Sequence, residues 1–195
     1  ARGRGETAEE CVRFLQEWMP DRDRGSALPE GYLWDHATLA LQARTSSLWA
    51  AGVPWDVFLN YVLPYASLSE KRETWRGLLM GKLLPLVQDA AGTAEAGALL
   101  NQELWKMLDV KFVPNQTPQK LSVFEVLRAH NASCTGLSIL LVSACRSVGV
   151  PARVVGTPVW NRPEMGNHNW VEVYDSRVGV WRFTGAAEWA GWDKG

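Results

Sequence analysis

Cysteine and histidine are both scarce in this chain, with three of each among 195 residues. The cysteines, at positions 11, 134 and 145, are odd in number and lack framework spacing. A disulfide-built secreted scaffold is therefore not expected, and a reduced, cytoplasmic interior suits them better. No metal-ligand cluster is visible, so neither a metal nor another cofactor is called for. An excess of one charge is lacking too: 20 Lys and Arg face 21 Asp and Glu, for a net charge of −1. That balance gives no footprint of a nucleic-acid partner. Long hydrophobic runs are absent. The SILLVSA stretch is far shorter than the ~20 residues of a membrane span, so no membrane partner is expected. There is no internal repeat and no low-complexity tract. No signal peptide is expected, although a start at Ala1 without Met is compatible with processing. The basic ARGRG start is expected to be a disordered terminus. Nothing in the sequence assigns an oligomeric state.

Tryptophan, by contrast, is abundant, with eleven residues. Trp18, Trp34, Trp49, Trp55, Trp75 and Trp105 are spread through helical stretches and are expected mostly in the core, because each carries a large apolar area. Trp160, Trp170 and Trp181 gather in sequence around His168. Trp160 and Trp170 are the candidates for lining a substrate cleft, a role that competes with plain core packing.

The first half reads as helices. They are expected at Thr7–Met19, Leu33–Ala50, across WDVFLNYVL, at Ser69–Leu84, where Pro85 either ends the helix or bends it on towards Ala90, and across AEAGALLNQELWKML after Thr93. SEKRETWR reads as a capped helix start with a solvated charged face. An extended VKFVP segment follows. A further helix is expected across TPQKLSVFEVLRAH, with His130 at its C-terminal end. Strands are expected near Ala152–Val155, His168–Tyr174 and Val180–Phe183. The layout is α+β, a helix packed on an antiparallel sheet with an N-terminal helical extension.

The chemistry concentrates between Ser133 and Glu188. Cys134 follows the cap-forming residues Asn131, Ala132 and Ser133. Leu137, Leu140, Leu141, Ala144 and Val148 then recur at helical spacing, and Gly149 and Pro151 stop the helix. Cys134 therefore falls in the first turn, where unpaired N–H groups and the positive end of the helix favour a thiolate and an oxyanion. A buried structural cysteine is the alternative. Cys145, deep in the same helix, and Cys11, in an N-terminal helix, read as core. Of the histidines, His168 opens the strand NWVEVYD. Asn169, Val171 and Val173 fall on one side of that strand, and Trp170, Glu172 and Tyr174 on the other. His130 is better placed to meet helix C-terminal carbonyls, and His36 has no nameable partner. Cys134 and His168 are thus a candidate nucleophile–base pair. Arg153 and Arg162 are candidates for an acidic substrate group, against the simpler role of a solvated or paired arginine.

SCTGLSILLVSACRSVGVPARVV around the cysteine, NHNWVEVYD around the histidine and the following WRFTGAAE resemble the transglutaminase-like superfamily, a papain-like cysteine fold. The resemblance covers roughly residues 112 to 188. It implies a transglutaminase-like catalytic core at 111–195, with 1–110 as a helical region packed on it in one compact unit. It also implies a Cys–His–acid triad with Cys134 as nucleophile and His168 as base. The usual aspartate is replaced by Gly185, four residues after Trp181, leaving Glu188 as the nearest substitute. Asp175, Glu172 and Thr184 are more remote alternatives. Papain-like enzymes place a side-chain amide upstream of the cysteine as a second oxyanion donor. Gln116 is the candidate, with Asn115 and Gln119 close by, though the stretch also reads as a polar turn. The implied activity is acyl transfer on a peptide or protein substrate through a thioester, to water or to an amine. Calcium sites of the animal crosslinking enzymes are not locatable, and the zinc-binding cysteine pairs of peptide N-glycanase relatives are absent. The missing aspartate leaves open a second class, a non-catalytic protein-binding or scaffold module.

Overall fold

The computed structural model describes residues 6–25, 28–160, 164 and 166–194. The ARGRG start and Arg162 lie outside the described residues. Two cores organise the chain. In the first, α1 (Ala8–Glu17), α3 (Tyr32–Thr45) and α5 (Trp55–Tyr61) gather around Leu15, Tyr32, Ala40 and Phe58, with α2 (Asp21–Arg24) and α4 (Leu48–Ala51) between them. In the second, α6 (Trp75–Val87), α7 (Thr93–Met107) and α8 (Val123–Ala129) surround α9 (Cys134–Ser147). Every residue of α9 after Cys134 is buried. A helix buried on all sides has to be central, and α9 is the axle of this half.

The sheet against α9 has β3 (Ala152–Thr157), β4 (His168–Asp175) and β5 (Val180–Thr184) in the order β3-β4-β5, all antiparallel. Val171, Val173 and Asp175 of β4 are buried, in alternation with half-buried neighbours. This is the period of a strand with one face on a core. Between α9 and β3, Gly149 has φ +91°, and a β-carbon there would crowd Ala50 and the Ala43 carbonyl. A separate parallel pair, β1 (Lys111–Phe112) with β2 (Asn131–Ala132), leads the chain into Cys134.

Several boundaries differ from the expectations. The single helix over Leu33–Ala50 is two helices. Thr45 and Ser46 hydroxyls bond back to the Gln42 carbonyl, and Ser47 is extended. Such side-chain bonds compete with the helical ladder and close α3. The helix expected from Ser69 starts at Trp75 and runs on through Pro85. Residues 67–74 are instead a loop whose charges turn inward, contrary to the solvated face expected of SEKRETWR. Glu70 accepts from the Ser67 and Leu68 N–H groups, Arg72 pairs with buried Asp23, and Glu73 accepts from the Phe124 N–H. The α8 start is later than expected because a Ser122–Glu125 capping box fixes it. Trp75 is in the core, but Trp18 and Trp34 are 68% and 46% exposed. In α3 the inward positions go to Tyr32, His36, Ala40 and Ala43, so Trp34, two residues off that stripe, faces out.

Two buried arginines join the halves. Arg76 of α6 donates to the carbonyls of Val62, Leu63, Pro64 and Arg146. Arg146 of α9 donates to those of Tyr61, Pro64, Ala66 and Ala152. The two guanidiniums hold segment 61–66 against α9 by main-chain acceptors. Among the described residues, no helix is long and apolar enough to cross a membrane.

Candidate active site

Cys134 is the first residue of α9, after Ser133 as N-cap. The Ser133 hydroxyl donates to the Gln119 carbonyl at 3.1 Å, which pins the upstream loop beside the helix start. Cys134 is a free, half-buried thiol, whereas Cys11 and Cys145 are free and buried. Burial pushes both Cys11 and Cys145 up to about 12, so they are protonated and inert near neutrality.

His168 is the first residue of β4, paired with Thr157 of β3. It is half-buried, and its ring lies 4.6 Å from that of Trp160 and 6.3 Å from that of Trp170. Trp160, 40% exposed, donates its backbone N–H to the Gly166 carbonyl and so folds back over the start of β4. The two tryptophans and the imidazole form one aromatic wall.

The start of α9 and the start of β4 meet through their second residues. Thr135 Oγ1 donates to Asn169 Oδ1 at 2.7 Å. Cys134 and His168 are each the chain neighbour of a residue in that bond. Among the described residues, no hydrogen bond joins Cys134 Sγ to the imidazole itself, whose contacts are the aromatic ones.

Gly185 stands where an acid would be expected. Extending the β4–β5 register one step beyond Val171–Thr184 puts it across from Trp170. A β-carbon on Gly185 would lie 2.6 Å from Glu188 Oε2 and 3.0 Å from Glu188 Cβ. The Glu188 carboxylate therefore occupies the space a side chain at 185 would take. The Glu188 N–H bonds the Gly185 carbonyl, so a tight turn carries it there. By strand alternation this is the face that bears Trp170 and His168.

The remaining candidates have other partners. Thr184 is buried on the opposite face and accepts from Asn101 Nδ2. Asp175 is at the far end of β4, 3.6 Å from Arg182. Glu172 pairs with Arg153, whose guanidinium also lies 4.1 Å over the Trp181 ring. Gln116 donates its amide to the carbonyl of its own neighbour Thr117. His130 caps α8 and bonds the Asp109 carbonyl. His36 is buried against Arg76 and the Glu73 carbonyl. Among the described residues, no three His, Cys, Asp or Glu side chains gather as metal ligands would.

Sequence reasoning passed over Thr135 and Asn169. The signal was present in the strand: Asn169 shares the inward side with Val171 and Val173, and a polar residue there needs a partner.

Comparison with known proteins agrees with this architecture. Residues 86–186 match the transglutaminase-like superfamily. No curated protein matches the chain. A solved structure from Cytophaga hutchinsonii, described as a candidate cysteine protease, superposes with a TM-score of 0.53 at 15% identity over 73% of this chain. This chain corresponds to 45% of that protein's length, and the likeness is one of fold. With the family match running from the end of α6 past the last strand of the sheet, the chain belongs to the transglutaminase-like superfamily and carries its papain-like fold.

Proposed function

We propose that the chain is a cysteine-dependent acyl-transfer enzyme acting on amide or peptide carbonyls. The observation that carries the reading is the meeting of the α9 start, with its accessible thiol, and the β4 start, with its imidazole, through the Thr135–Asn169 bond. Cys134, as thiolate, attacks the carbonyl carbon, and the oxygen takes up the negative charge. The N–H groups of the first α9 turn are the natural donors to that oxyanion. The C–N bond then breaks, and the imidazolium of His168 gives its proton to the leaving amine. The product is a thioester on Cys134. His168 next takes a proton from water or from a second amine, which attacks the thioester and releases the thiolate. Water makes the reaction hydrolysis, and an amine makes it transamidation.

Glu188 is the orienting acid in this reading, reaching the His168 face from three residues past Gly185. Such a group holds the imidazole tautomer and stabilises its cation. Trp160 and Trp170 form the wall against which an extended peptide lies. Gln116, whose amide is turned to Thr117, serves as oxyanion donor only if substrate draws it round.

Trapping decides the matter. Incubation with a library of glutamine peptides, followed by acid quench and intact-mass analysis, should give a thioester mapped to Cys134. His168→Ala should abolish its formation at neutral pH. Added monodansylcadaverine separates transamidation from hydrolysis by its appearance in the product. Stable binding of peptides with no adduct in any condition would instead support the scaffold class that Gly185 suggests.

A further inference from the structure

The Thr135–Asn169 bond has a third member. Asn169 pairs with Gly156 of β3, and a β-carbon on Gly156 would overlap Asn169 Nδ2 and lie 3.0 Å from the His168 carbonyl oxygen. The amide of Asn169 therefore lies flat over the one strand position that has no side chain. That seat leaves Oδ1 free to turn towards α9, where Thr135 Oγ1 meets it. Thr135 is itself buried, so the hydroxyl is held by its surroundings and is not a rotor in solvent. A hydroxyl–amide bond in such a place is strong enough to set a distance, because breaking it leaves the buried Thr135 hydroxyl without its acceptor, while Asn169 is half-buried.

We propose that Thr135 and Asn169, seated on Gly156, are a positioning pair that sets the separation of Cys134 from His168. The proposal rests on the acyl-transfer reading. Neither side chain touches the reacting atoms in it. Each holds its immediate neighbour: Thr135 fixes the first turn of α9, and Asn169 fixes the strand end from which the imidazole projects. A helix start and a strand start joined otherwise only through the core would slide by a fraction of an ångström. Misplacement on the order of 1 Å costs such pairs about 10²-fold in rate.

The test reads the thiol directly and needs no substrate. Iodoacetamide is applied across pH, and modification of Cys134 is followed by peptide mass spectrometry. His168→Ala sets the floor for a thiol without its base. Thr135→Val keeps the shape and removes the hydroxyl. Asn169→Ala removes the acceptor, and Gly156→Ala displaces it. Each should slow Cys134 at neutral pH by roughly tenfold, towards the floor, and shift the pH dependence the same way. Thr135→Ser should stay within about twofold of the unaltered protein. Gly156→Ala combined with Asn169→Ala should stay within about twofold of Asn169→Ala alone, since the missing amide removes the main overlap and leaves only the 3.0 Å approach to the His168 carbonyl oxygen. A merely structural role would lower the melting temperature and leave the pH dependence of Cys134 in place. Wild-type behaviour of Thr135→Val and Asn169→Ala beside a slow His168→Ala overturns the positioning pair and leaves the acyl-transfer reading standing. Wild-type behaviour of His168→Ala itself overturns both.

Discussion

Glu188 and Gly185 belong together as one solution to one problem. For the acyl-transfer proposal a carboxylate is needed on the sheet face that bears His168, and the side chain beside Gly185 there is that of Glu188, from the following turn. Glu188 is exposed, and among the described residues no hydrogen bond or ion pair joins it to His168, so as an orienting acid it would act more weakly than a buried one. Glu188→Gln should lower thioester formation by roughly 10²-fold, short of the ~10⁴-fold seen when a buried orienting carboxylate is neutralised. Gly185→Asp alone should not help, because the new side chain collides with Glu188. Gly185→Asp with Glu188→Ala should recover most of the loss, with the acid moved to residue 185. Single-turnover thioester formation measures all three variants, and no recovery in the double variant would detach Glu188 from the imidazole.

At the scale of elements, the second half was far more legible than the first. The α9 helix and its three strands follow from apolar periodicity and from Gly149 and Pro151, all local signals. The starts of α9 at Cys134 and of β4 at His168 were legible for the same reason. The loop at residues 67–74 was not, since its charges are met by Asp23, some fifty positions upstream, and by the α8 start, some fifty downstream. The Thr135–Asn169 bond was hidden in the same way, as a contact between two elements and not within one. Arg76 is the sharpest case. In sequence it is one more charge in SEKRETWR, yet it is fully buried and binds four carbonyls from two segments, 62–64 and α9. Arg76→Met should preserve the volume and leave those carbonyls without donors. A loss of about 3 kcal/mol or more is expected in urea unfolding, because buried acceptors of charged donors are expensive to orphan. A change under 1 kcal/mol would mean that water replaces the guanidinium at little cost.

At the scale of the whole molecule, the helical region is an integral wall of the half that holds α9 and the sheet. Asn101 of α7 bonds Thr184, Gly185 and Ala187, and Thr93 bonds the Tyr174 carbonyl. The core around α9 takes Leu79, Leu83, Leu100 and Leu104 from α6 and α7. Residues 111–195 expressed alone should therefore lack fixed tertiary structure by near-ultraviolet circular dichroism. The same wall makes stability depend on pH. His36 Nε2 donates to the Glu73 carbonyl, and its Nδ1 faces Arg76 Nε at 3.5 Å. Nδ1 must therefore be the acceptor, and the ring must be neutral. Tyr32, Tyr65 and Trp75 close the rest of the shell. Burial first, and the Arg76 charge second, pull His36 down to about 3. The unfolded chain takes up that proton near ~6.5, so between the two values it binds more protons than the folded protein. The contribution is whole above pH ~6.5 and is lost as pH falls towards 3, to an extent on the order of 4–5 kcal/mol. His36→Gln can keep a donor for the Glu73 carbonyl and removes the titration. Its urea midpoint should therefore fall less between pH 7 and 4 than that of the unaltered protein. Equal slopes for the two proteins would place the acid sensitivity outside His36.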